Sequence, residues 1–316
     1  MLLLTVAYVL CLWPYVPAIV SWATAREVLI AMIPLFILAV GQSFVMVIAA
    51  IDLSVTSIAA LASVVGASIM TGQGGYLAGS LMATPVALLA FFAVGLAFGA
   101  VNGLLVSRVQ MPPFMVTLVL QMFLSGAAIW YTSLHSEAVS IGELPRSFVE
   151  IGSGSFLGIP YAIIIAGVVA LSAHWILSRT IFGRWLYAVG TNPRAALVSG
   201  VPVQNVIFFA FVISALCAVI ASIVYTGRLE TGTPVLAQRV LLDAIGAAVI
   251  GGVSLFGGKA KILGVLFGVL FLAVVDKGMQ LLGLSQSVVF AVKGGVILLA
   301  ALLDALRNYL LVESGR

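Results

Sequence analysis

The chain is a succession of apolar runs, each close to the roughly 20 residues that a helix needs to span the hydrocarbon of a bilayer. Ended at charged or turn-rich stretches, ten such runs emerge, at about 2–20, 28–48, 54–70, 81–106, 114–134, 160–178, 205–226, 240–256, 262–282 and 287–303. Backbone in lipid must satisfy its own polar groups, and a helix does so within one segment. The expectation is an all-α integral membrane protein, a single transmembrane domain over 1–316 with about ten membrane helices. Charged residues make up 8% of the chain, against about 25% in a soluble domain, too few to coat a water-facing surface. The two cysteines, Cys11 and Cys217, both sit in apolar runs and imply neither a disulfide framework nor a metal site.

The lysines and arginines set the orientation. With the amino terminus inside, Arg108, Arg179, Arg184, Arg194, Lys259, Lys261, Arg307 and Arg316 are cytoplasmic and Arg26, Arg146, Arg228 and Arg239 are outside, eight against four. Lys277 and Lys293 remain within or near the membrane. The connection 135–159, with Glu137, Glu143, Arg146 and Glu150, becomes a periplasmic loop, and 179–204 a cytoplasmic insert. The fourteen cations behind the net charge of +4 are scattered and form no stripe that tracks phosphates, so nucleic acid is excluded as a partner. Ala23-Thr24-Ala25 resembles a signal-peptide cleavage site, but no basic segment leads the first run, so that helix is read as retained and a cytoplasmic leader as missing.

Catalytic equipment is absent. No GxxxxGK[ST] loop occurs, and His135 and His174 lie far apart without a carboxylate at ligand spacing, so neither a cofactor, a metal site nor a Ser/His/Asp triad can be drawn. Glycines in GSGSFLG at 152–158 read as a turn. Transport is what ten helices without such equipment point to.

Within the apolar runs Asp52 is conspicuous, because an ionisable side chain at mid-depth costs about 2.5 to 3.5 kcal/mol on insertion scales. It sits where the second and third runs almost touch, followed by Ser54, Thr56 and Ser57, which suggests a broken or re-entrant segment lining a cavity. Asp52 also suits a helix cap that accepts the N–H groups of Ser54 and Val55, and the two readings are compatible. A second interruption, AAVIGGVSLFGGKAKILG, brackets Ser254 with Gly251, Gly252, Gly257 and Gly258, and overlaying IGGVSLFG on IAAIDLSV suggests a parallel duplication whose copies both approach the cytoplasm. Amides and hydroxyls elsewhere can guide a neutral solute, with Phe123 and Trp130 as aromatic walls. The candidate translocation pathway is Gln42, Asp52, Ser54, Ser57, Asn102, Lys277 and Gln280.

In the insert, Asn192 is a good N-cap, Pro193 suits the first helical position, Ala195 and Ala196 favour helix, and Gly200 fits just past the end. Some seven residues are too few for a helix stable by itself in water. Such a rod needs a partner to dock on.

In order along the chain, IDLSVTSIAAL, VQMPPFMVTL, GRWLYAVGTNPRAALVSGV, LLDAIGAAVIGGVSLFGGKAKILGVLFG and VKGGVILLAALLD resemble the ribose/monosaccharide permease family of bacterial ABC importers, over about 34–304. The resemblance implies a multi-pass subunit of the bacterial cytoplasmic (inner) membrane, paired with a second permease copy or homologue. It also implies a cytoplasmic ATP-binding cassette ATPase subunit, a periplasmic or lipid-anchored sugar-binding protein and a monosaccharide substrate. The family's segment that contacts the ATPase falls on Gly183, Arg184, Ala188, Gly190, Asn192, Ala195, Ala196, Ser199 and Gly200, which together with Pro193 implies a coupling helix in the insert. Departures occur: Ala50 and Thr56 replace glycines, Leu241 replaces an acid, and Lys277 stands in a stretch usually rich in asparagine. Alternatives are a nucleoside or branched-chain amino acid ABC permease and an ion-coupled secondary transporter using Asp52 or Asp276.

Overall fold

A computed structural model describes residues 1–135 and 139–314, so Glu137 and Arg316 lie outside the described residues. Among the described residues, thirteen α-helices, two short 3-10 helices and one two-stranded hairpin account for the regular structure. Six helices are long and apolar enough to cross a membrane: α2 (Trp22–Val47), α4 (Ala83–Ser107), α5 (Pro113–His135), α7 (Tyr161–Arg179), α10 (Val203–Leu229) and α12 (Ile262–Leu281). α1 (Leu2–Leu12), α3 (Val55–Met70) and the first part of α13 (Gln286–Ser314) are shorter apolar helices. α11 (Leu241–Ile250) is a ten-residue helix, and α6 (Arg146–Ser153), α8 (Ile181–Thr191) and α9 (Pro193–Val198) occupy the two longest polar connections.

Several expected boundaries move, each for a local reason. The run at 2–20 is two pieces, because Pro14 and Pro17 end α1 and leave a 3-10 turn over Pro17–Val20. The supposed polar break at 21–27 is the start of α2: Ser21 caps it by accepting the Thr24 N–H at 3.2 Å, and Glu27 finds Lys277 at 2.7 Å. The run at 240–256 keeps its helix only to Ile250. GSGSFLG is a turn only at its end: Gly152 and Ser153 close α6, and Leu157 and Gly158, both at positive φ, join the hairpin strands Ser155–Phe156 and Ile159–Pro160.

Polar contacts define the two ends of the helix stack. Arg108 donates to Asn205 at 3.0 Å, tying the end of α4 to the start of α10, while Thr84 meets Ser147 at 2.7 Å, tying the start of α4 to α6. Arg108, Arg179, Arg184, Arg194, Lys259 and Lys261 gather at the first end, and Arg26, Arg146, Arg228 and Arg239 at the second. On the charge bias the first end is expected to be the inner face and the second the outer.

α2 is buried on every side from Met32 to Val47, as befits a helix apolar all round. α4 and α10 approach through Gly95, Gly99 and Gly103, where an added Cβ would strike Val219, Ala215 or Phe208. Without a hydrophobic drive between helices in lipid, such a small-residue stripe supplies contact area and close packing. α5 and α7 lie outside this core with Met122, Leu171 and Trp175 exposed. Phe123 and Trp130 are also on the outer surface of α5, 62% and 64% exposed, so they wall no internal passage.

Gly99→Ala is therefore expected to lower the melting temperature in detergent, at a cost of about 1–3 kcal/mol for overpacking. Gly126 on α5 has open space where its Cβ would stand, so Gly126→Ala should be neutral or stabilising. Equal melting of the two variants would contradict the seam.

Candidate functional site

Chain leaves α2 at Val47 in a tight helix end. Ala49, at φ 59°, donates to the Met46 carbonyl at 2.9 Å, and Ala50 donates to Val45 at 3.1 Å. This is a Schellman-type stop with an alanine in the position that glycine usually holds. Ala50 and Thr56, the two departures from glycine, both lie outside the left-handed region, so neither strains the break. Residues 48–54 then run without helix among α2, α3, α4 and α10.

One buried knot satisfies this exposed backbone. Gln42, fully buried, takes the amide orientation in which its nitrogen donates to the Asp52 carbonyl and its oxygen accepts the Asp52 N–H, both at 3.1 Å. The Asp52 carboxylate, also fully buried, accepts the Ser54 N–H at 2.9 Å and the Ser54 hydroxyl at 2.6 Å on one oxygen, and the Ser214 hydroxyl at 3.1 Å on the other. Asn102 donates to Ser54 Oγ at 2.7 Å, and Ser57 donates to the Ser54 carbonyl at 2.8 Å. Asp52 thus does accept from Ser54, but Ser54 itself is the residue next to the helix, and Val55 is no donor to it. Asn102 Oδ1 is buried and without a hydrogen-bond partner among the described residues.

The second interruption closes the same way. Gly252, at φ 90°, donates to Val249 at 2.8 Å and Val253 donates to Ala248 at 2.9 Å, repeating the stop of α2 one residue out of step with the sequence overlay. Asp304 of α13 takes the part played by Gln42, accepting the Leu255 N–H and the Ser254 hydroxyl, each at 3.3 Å. The two breaks meet at the inner face, where the Gly258 N–H donates to the Val47 carbonyl at 2.8 Å.

α8 and α9 sit on this junction. Gly190 packs so closely that a Cβ would run into the Val47 carbonyl oxygen, and Tyr187 donates to the Ala260 carbonyl at 3.1 Å. Asn192 caps α9 by accepting the Ala195 N–H at 3.0 Å, Pro193 opens it, and Gly200 ends it at φ 81°. Gly183, Gly190 and Ala196 face inward, whereas Arg184, Asn192, Pro193, Ala195 and Gly200 are exposed, with Leu197 64% and Val198 90% exposed at the tip.

Lys277 and Gln280 lie apart from the knot, on the wall of a cavity of about 260 Å³ near the outer face, among α2, α10, α11, α12 and α13. Here Lys277 pairs with Glu27 at 2.7 Å, and Lys293 bridges Asp243 at 2.6 Å and Asp276 at 3.1 Å. Gln280 donates to Asp276 at 2.9 Å, so that carboxylate looks to α13 and along its own helix rather than to the adjacent Lys277. Lys293, 7% exposed, is held by these two acids, as a lysine inside a membrane protein must be.

A family model described as the permease component of a branched-chain amino acid transport system matches residues 24–301. The chain belongs to this family. It is 38% identical over 268 residues to the ribose import permease protein of Escherichia coli (strain K12), covering 85% of this chain and 81% of that one. The L-arabinose ABC transporter permease protein of Azospirillum brasilense is 36% identical, covering 86% and 76%, and the D-allose transport system permease protein of Escherichia coli (strain K12) is 35% identical, covering 85% and 79%. No solved structure matches.

As a family member the chain is a multi-pass membrane permease of an ABC transporter, a transport subunit rather than an enzyme. An ATPase and a binding protein are its general partners. Of the residues singled out from sequence, the fold of this permease joins Gln42, Asp52, Ser54, Ser57 and Asn102 in one cluster, sends Lys277 and Gln280 to another, and places Gly183, Arg184, Gly190, Asn192, Pro193, Ala195, Ala196 and Gly200 on α8 and α9 beside both breaks. Ser214 and Asp304 escaped the sequence reading. Asp304 had a signal, as an acid ending an apolar run, while a serine in the middle of α10 had none.

Gln42→Leu is expected to strand the Asp52 N–H and carbonyl and to destabilise the permease by about 1–3 kcal/mol per orphaned group. Asn102→Ala, which removes one donor and an unpartnered oxygen, should cost less. Thermal unfolding in detergent checks the order, and a milder effect of Gln42→Leu would contradict the cradle.

Proposed function

We propose that this permease is half of a dimeric importer that moves a monosaccharide inward across the bacterial cytoplasmic membrane, with about ten membrane helices, α1–α5, α7 and α10–α13, six of them long enough to span it. The sugar reading is supported by relatives named for ribose, L-arabinose and D-allose. A branched-chain amino acid, named in the family description, is the second reading. Membership of an ABC family favours either over an ion-coupled transporter.

The observation that carries the mechanism is α9: six residues, capped at both ends, with Leu197 and Val198 bare at the tip and the helix breaks directly behind. A helix this short gains little stability of its own in water, and its exposed apolar pair fits a groove on the ATPase. Arg184, Asn192, Pro193, Ala195 and Gly200 present the docking surface, and Gly183, Gly190 and Ala196 seat it. A displacement of α9 is passed through Gly190 and Tyr187 to Val47 and Ala260, the flanks of the two breaks. Lys277 and Gln280 line the route of the solute at the outer face. Gln42, Asp52, Ser54, Ser57 and Asn102 contribute by holding the break that must move, with Asn102 Oδ1 as an acceptor to spare.

The permease reconstituted with its ATPase and a sugar-binding protein should show ATP hydrolysis stimulated by a monosaccharide; silence towards every monosaccharide would sink the reading. Leu197→Asp combined with Val198→Asp, or Arg184→Glu alone, is expected to abolish that stimulation while melting stays within about 0.5 kcal/mol of the parent, as for exposed substitutions generally. Stimulated hydrolysis that survives all three changes would remove the docking assignment.

A further inference from the structure

The charges around the outer cavity do not cancel. Two lysines take up all three acids, Lys277 with Glu27 and Lys293 with Asp243 and Asp276. Arg228 and Arg239 also line the cavity, and neither has an ion pair among the described residues. Arg228 spends one N–H on the Ile30 carbonyl at 3.2 Å, and Arg239 is exposed at the mouth. The wall therefore carries one more positive than negative charge. We infer that this cavity binds a monosaccharide bearing a single carboxylate, a uronic or aldonic acid, in preference to the neutral sugar.

This rests on the import reading above and narrows its substrate. A guanidinium offers a planar fork of donors that matches a carboxylate, and such charge-assisted bonds are roughly twice as strong as neutral ones. Arg239 at the mouth is screened by water, whereas Arg228 is half-buried and screened less, so the surplus positive charge favours an anion chiefly in the inner part of the cavity. One carboxylate brings the wall to neutrality. A phosphate, at about −1.5 to −2 near neutral pH, would overshoot, and a zwitterionic amino acid, with no net charge, would leave the surplus in place. The Tyr225 phenol and Gln286 amide also line the cavity and make no side-chain hydrogen bond among the described residues, so both are available to sugar hydroxyls.

The test uses the assembled importer, permease with ATPase and binding protein, in zwitterionic phosphatidylcholine vesicles. Probes are matched pairs of acid and neutral sugar, galacturonate with galactose, glucuronate with glucose and ribonate with ribose, with leucine as the amino-acid control. At least one acid should stimulate ATP hydrolysis and uptake more than its neutral partner. Because the binding protein is the same throughout, variants of the permease isolate the cavity's part. Arg239→Gln, at an exposed position that leaves folding intact, should lower uptake of the acid relative to its neutral partner by about tenfold, the loss of a charge-assisted hydrogen bond. Arg228→Lys should retain more acid uptake than Arg228→Gln. Response to neutral sugars or leucine alone, or acid uptake indifferent to both arginines, would overturn the carboxylate assignment while leaving import standing. Response to no probe at all would count against the import reading itself.

Discussion

Backbone that leaves a helix inside a bilayer has no water to turn to, so each freed N–H and carbonyl must find its partner within the protein. Everything distinctive in this fold follows from how two interruptions meet that demand. At 48–54 the Gln42 amide covers both backbone groups of Asp52, and the Asp52 carboxylate in turn organises Ser54 and Ser214. At 251–261 the Asp304 carboxylate does comparable work from the facing helix. The acid at position 52 is affordable in hydrocarbon because it is a structural acceptor with three hydrogen bonds, on a side chain that water does not reach.

Bringing both interruptions to one junction gives them a common handle. A rigid helix transmits displacement along its axis, but a break is where a helix pair can change its angle, and packed interfaces tend to switch between discrete arrangements rather than deform smoothly. α8 and α9 press on that junction through a contact so close that only glycine fits at position 190. Force from a partner on α9 would therefore reach two breaks at once, one leading into α3 and the other into α12. At the far face the ion-paired wall joins α2, α11 and α12, three of the four helices that flank those breaks, to α13, so motion at the inner junction would reach the charges of the outer cavity through the same helices.

Much of this was legible in the order of residues, since hydrophobic length and charge bias act locally and leave a plain record. The caps of the short helix α9 were legible, with Asn192 as cap, Pro193 as first position and Gly200 as the stop, because capping chemistry is a property of a few neighbouring residues, whereas α8 just before it was not. The break at Asp52 was visible for the same reason. What sequence left dark was long-range. Gln42 reads as an ordinary polar residue in a helix until the chain folds back and places Asp52 beside it, and Ser214 joins the knot across 162 positions. Lys277 and Asp276, neighbours in the chain, turn to different partners because adjacent helical residues point about 100° apart. The prolines that split the first run and the Ser21 cap that extends α2 were misjudged because hydropathy alone does not see backbone chemistry.

Amide hydrogen exchange in the purified permease measures whether the interruptions are closed and internally satisfied rather than loose. The N–H groups of Asp52, Ser54 and Gly258 should be protected as strongly as those of the surrounding helices, and should lose protection together when the ATPase engages and cycles. Exchange at the rate of an open loop in the resting protein, or a change at Gly258 that leaves Asp52 and Ser54 untouched, would contradict the account.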